Sequence, residues 1–74
     1  MKLIETIPEN FEVQIQKITG DNFLKEKLES LGLYKGIKIK IIKNNKVDPL
    51  LVKVDNRRVS ISKGLGLKIF VELL

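Results

Sequence analysis

Leu28-Glu29-Ser30-Leu31-Gly32-Leu33-Tyr34-Lys35-Gly36, continued by Ile37-Lys38-Ile39-Lys40-Ile41, decides how this chain of 74 residues folds. Leucines at 28 and 31 close a helix, and Gly32 stops it in the left-handed conformation that costs glycine nothing. Leu33 then folds back on the last turn. Gly36 closes a second turn, after which Ile37, Ile39 and Ile41 alternate with Lys38 and Lys40, the period-two pattern of a half-buried strand. Gly32 and Gly36 are therefore structural turn residues. The junction carries no catalytic motif, so the chain reads as a binding module.

Working back from the junction, Leu24, Leu28 and Leu31 at i, i+4 and i+7 form the inner stripe of a helix over about residues 21–31. Asp21 supplies the N-cap. Lys25 and Glu29 lie four apart on the outer face, a pairing worth tenths of a kcal/mol. Phe11 to Gln16 alternates as a strand, with Phe11, Val13 and Ile15 expected inward. Leu3-Ile4 is a short edge segment turned back by Pro8 and Asn10.

Forward of the junction, Asn44-Asn45-Lys46 suits a hairpin loop and Asp48-Pro49 delays the return strand, Leu50 to Val54. Asp55-Asn56-Arg57 makes another turn before Arg58 to Ser62. A short helical turn at about 63–67, weakened by Gly64 and Gly66, precedes a last strand over 68–73. Short strands at this spacing predict a mainly β fold. The expected architecture is a small SH3-like β-barrel of five to six strands with one inserted α-helix, in a single domain over residues 1–74.

Composition narrows the chemistry. At 43 % hydrophobic and 31 % charged, the chain is neither disordered nor membrane-spanning. It has no Cys and no His, hence no soft metal site, thiol nucleophile or imidazole base. Its nine acidic residues are scattered. An enzyme, a bound cofactor and a metal centre are not expected. The absence of disulfides and of a signal-peptide core points to the cytoplasm.

The net charge of +5 is concentrated. Residues 34–63 carry nine cations against Asp48 and Asp55, a balance of +7, whereas residues 1–33 stand at −2. Such a basic half attracts nucleic acid, an anionic lipid surface or an acidic protein patch. Base stacking needs exposed aromatics. The basic half offers only Tyr34, so nucleic acid is the weaker reading.

At this point the chain resembles the FeoA family of small ferrous iron transport protein A domains. The resemblance runs from Leu3 through Pro8, Ile15 through Gly20 and the junction Leu28-x-x-Leu31-Gly32-Leu33-x-x-Gly36, to Asp48-Pro49, Val59-x-Ile61 and Ile69-x-Val71. The sequence departs from the family where Lys35 replaces a frequent proline and Asn10 a frequent glycine. The helix lacks the family's usual arginine pair before its leucine, with Lys25 and Lys27 nearby instead, and Gly66 stands for an alanine, which would loosen the second helical turn.

The resemblance implies a cytoplasmic, non-enzymatic accessory protein of ferrous iron uptake. Its implied partner is the cytoplasmic GTPase part of the FeoB membrane transporter, with recruitment to the inner face of the membrane. The same domain type ends iron- and manganese-dependent repressors as an interaction module, and the initial Met1 favours a stand-alone protein. Two alternatives stay open beside it: a basic small barrel that binds nucleic acid, and a metal-responsive interaction domain using carboxylates.

Phe23 and Tyr34 flank the leucine stripe, and exposed aromatics are over-represented at interfaces. Together with Lys27, Lys35, Lys38 and Lys40 they are the candidate partner-binding residues. Phe70, between Ile69 and Val71, points outward. Self-association is open, with strand 68–73 as the edge that could pair between copies.

Overall fold

The computed structural model describes residues 1–74. In chain order it comprises β1 (Lys2–Leu3), a 3₁₀ turn (Ile4–Thr6), β2 (Glu12–Ile18), α1 (Asn22–Ser30), β3 (Lys38–Lys43), β4 (Leu50–Val54), β5 (Arg57–Ile61), α2 (Lys63–Gly66) and β6 (Ile69–Leu73). The six strands form one antiparallel sheet in the order β1-β6-β2-β3-β4-β5. Overall extents of 29 × 25 × 25 Å leave no thin dimension, so the sheet is curled on itself. Register shifts at Ile15/Lys17 and Ile41/Lys43 supply local bends. β1 and β5 stay unpaired on their outer sides, which makes the barrel an open one.

The inner face is built by strict alternation. Val13 and Ile15, Ile39 and Ile41, Leu50, Val52 and Val54, Val59 and Ile61, and Ile69 and Val71 are all buried. Ile4, Ile7, Leu28 and Leu33 complete a core of 15 side chains, with Leu24, Leu31, Ile37 and Leu65 packed against it. No buried residue is polar or charged. Of the leucine stripe, Leu28 is core while Leu24 and Leu31 are partly buried against it, and Phe70 is half-buried between two fully buried neighbours.

Three expectations change. Phe11 does not face inward; it is 49 % exposed. Asn10 takes a left-handed φ of 74°, and Asn10 and Phe11 together oppose Ile41, whose carbonyl accepts from Asn10 N–H and whose N–H donates to the Phe11 carbonyl. That is a β-bulge with its left-handed residue first, and it re-aims the phenyl ring outward. Strand 68–73 is not an edge, because β6 lies between β1 and β2. Nor does Gly66 simply loosen α2. It is buried, and a Cβ there would lie 2.5 to 2.8 Å from the Glu5 carboxyl group and Cγ, so its missing side chain is the seat of Glu5.

Candidate functional site

The helix-to-strand junction fixes where the candidate residues stand. Asp21 caps α1 through its carboxylate, which accepts from Leu24 N–H at 2.9 Å. At the other end Gly32 N–H donates to Glu29 O and Leu33 N–H to Leu28 O, both at 2.9 Å, with Gly32 at φ 88°. These two bonds define a Schellman motif. The next four residues form a type II turn: Ile37 N–H donates to Tyr34 O, Gly36 has φ 96°, and Lys35 keeps a negative φ. Gly36 N–H donates to Ile15 O at 2.7 Å, and Gln14 Nε2 to Gly36 O at 3.0 Å, stitching the turn to β2.

This rigid turn holds Tyr34 and Lys35 over an open groove of about 540 Å³. Gln16, Lys17 and Ile18 of β2 form one wall, and Lys25 and Glu29 of α1 the other. Lys38 and Lys40 line a different groove, of about 420 Å³, together with Glu12, Lys53 and Asp55. Phe23, 77 % exposed, and Lys27 belong to neither. The six candidate residues are therefore divided among three places.

Lys53 and Arg58, cations of the basic half that stand outside the six candidate residues, share a surface with Lys40. The strand register pairs Glu12 with Lys40, Lys40 with Lys53, and Lys53 with Arg58. Three cations thus stand side by side across β3, β4 and β5 on the outer face. Like charges directly opposite one another destabilise a sheet, and no carboxylate forms an ion pair with any of them. Only the pairing register brings these residues together, and no local pattern announces it.

The loop joining β3 to β4 is held by side chains. Asn45 Oδ1 accepts from Val47 and Asp48 N–H, Asn44 Nδ2 donates to Glu5 and Ile7 carbonyls, and Lys63 Nζ donates to the Asn45 carbonyl. Lys43 Nζ lies 3.0 Å from Asp48 Oδ2. The hydrogen bond and charge of Lys43, with a second bond from Asn45, hold the Asp48 carboxyl below the usual carboxylate range. No three carboxylates converge as a metal-binding group would require. No helix is long and apolar enough to cross a membrane.

Comparison with known proteins gives a consistent picture. The model of the FeoA domain family matches residues 1–73. A Methanocaldococcus jannaschii protein carrying the name Fe(2+) transport protein A is 33 % identical over 64 residues, covering 86 % of this chain and 77 % of the relative. The crystal structure of an iron uptake regulatory protein, FeoA, superposes with a TM-score of 0.89 at 25 % identity, over 99 % of this chain and 96 % of that one. Iron(II) transport protein A from Clostridium thermocellum gives 0.88 at 27 % identity, with this chain spanning 46 % of its length. The zinc-bound structure of ScaR shares the fold at a TM-score of 0.90 and 19 % identity, over 37 % of that chain.

Proposed function

This chain belongs to the FeoA domain family, and on that premise we propose that it serves ferrous iron uptake as a non-catalytic docking module. Its partner in this reading is the cytoplasmic GTPase part of a FeoB-type membrane transporter, met at the inner face of the membrane. The observation that carries the reading is the family match over residues 1–73, almost the whole chain. The site chemistry supports it. Both grooves are open, and their lining offers lysines, carboxylates and one tyrosine but no nucleophile–base pair. Such surfaces recognise rather than transform.

Titration of the chain against the purified GTPase domain of the transporter tests the proposal. Saturable binding, together with reduced ferrous iron uptake when the chain is deleted, is the expected result. Absence of binding with normal uptake removes it. Salt-sensitive binding of RNA or DNA in place of the domain would install the nucleic-acid reading instead.

A further inference from the structure

The cation row ends at a free sheet edge. β5 runs antiparallel to β4 in unbroken register from Val54↔Arg57 to Leu50↔Ile61 and has no strand on its other side. The two-residue turn Asp55-Asn56 makes Val54 and Arg57 the hydrogen-bonded pair, so bonding alternates along the ladder. The backbone N–H and C=O groups of Arg58 and Ser60 consequently point away from β4, and neither residue enters any bond outside the ladder. Natural edges are blunted by brevity, proline, bulges or charge. β1, the opposite edge, is only two residues long. β5 has five, with no proline and no bulge, and its only blunting device is the pair Arg57-Arg58.

We propose that β5 is a docking edge that takes up an acidic extended segment of a partner protein as a further antiparallel strand. This deepens the docking-module reading above and rests on it. The added strand would bond to the exposed backbone of Arg58 and Ser60, the mode of β-augmentation. A carboxylate opposite Arg58 would close the row Glu12, Lys40, Lys53, Arg58 with an anion at its open end, as Glu12 does at the other. The next residue would lie against Val59 and be apolar, and the one after would meet the Ser60 hydroxyl. The recognised pattern is thus acidic, apolar, polar.

The same charges decide against other occupants. A second copy would bring the arginines of one β5 against those of another, with no carboxylate on either strand. A nucleic acid would find no exposed aromatic among the strands that carry the row, and neither it nor a lipid surface presents the regular alternation of donors and acceptors with which a strand pairs an edge. The unpaired cations act as attraction for an acidic strand and as repulsion toward everything basic, this chain included.

The test uses the full chain, labelled with ¹⁵N, and an acetylated, amidated octapeptide alternating glutamate with valine. At low salt, the amides of Arg58 and Ser60 are expected to shift saturably. A lysine–valine peptide should produce no shift. Ser60→Pro removes an edge-facing N–H together with the Ser60 hydroxyl, Arg58→Glu reverses the charge, and each is expected to weaken the acidic peptide by about tenfold or more. Should either variant misfold, alternate N-methylation of the peptide blocks pairing on the native chain and must weaken binding equally. Shifts confined to other strands, or binding indifferent to N-methylation, would overturn the proposal. So would stronger binding of polyuridylate or phosphatidylglycerol vesicles that Ser60→Pro leaves unchanged. If Ser60→Pro and Arg58→Glu bind the GTPase domain as the native chain does, the edge falls and the docking function stands. If the native chain ignores that domain yet takes the peptide, the docking function falls and the edge stands.

Discussion

Gly32 and Gly36 both have positive φ, yet their surroundings differ, and so do the consequences of changing them. A Cβ at Gly32 would collide with the Arg57 guanidinium, whereas the space beside Gly36 is open. Gly36→Ala is expected to cost about 1 kcal/mol, the strain of a left-handed L-residue alone. Gly32→Ala should cost more, since Arg57 must also move; urea denaturation of both variants checks the order. Lys35 occupies the second position of the type II turn, where proline presets the backbone, and its N–H makes no backbone bond. Lys35→Pro should therefore stabilise the chain by about 0.4–1 kcal/mol in the same assay. Gly66 gives a sign reversal to test. The Oε1 of Glu5 is buried there without a hydrogen-bond partner, on the spot that an alanine methyl needs. Gly66→Ala is expected to destabilise the native chain but to stabilise a Glu5→Ala chain by a few tenths of a kcal/mol.

Among the elements, α1 depends on its cap and the β3–β4 loop on its charge pair. Asp21→Ala leaves Leu24 N–H unpaired and should cost about 1 kcal/mol. Asp48 is held below its ordinary value of 3.8 by Lys43 and Asn45. A depressed carboxylate stabilises the fold above its unfolded value and loses that contribution as pH falls through the folded one. The midpoint of thermal unfolding should thus fall as pH drops below about 4, and Asp48→Asn should shrink that dependence. What the sequence revealed follows the range of the interactions involved. The helix, its Schellman stop and every inward isoleucine of β3 were legible, because periodicity and glycine spacing are local. Phe11 was misread because the bulge depends on Asn10 meeting Ile41, 31 residues away. The edge strand was misplaced because strand order is a property of the whole sheet.

At the scale of the molecule, one curled sheet with an entirely apolar core leaves function to the outside. The candidate residues read from sequence do not form one patch: Tyr34 and Lys35 share a groove, Lys38 and Lys40 share another, and Phe23 and Lys27 stand apart. The cation row Lys40, Lys53, Arg58 emerges only from the register, and it leads to the free edge of β5. Membership of the FeoA domain family supplies the setting in which such an edge would work. The decisive measurement is calorimetric titration of the full chain and its Ser60→Pro variant against the GTPase domain of the FeoB-type transporter. Saturable binding by the native chain, weakened about tenfold or more in the variant, is the expected result. A native chain that produces no binding heat would contradict the account.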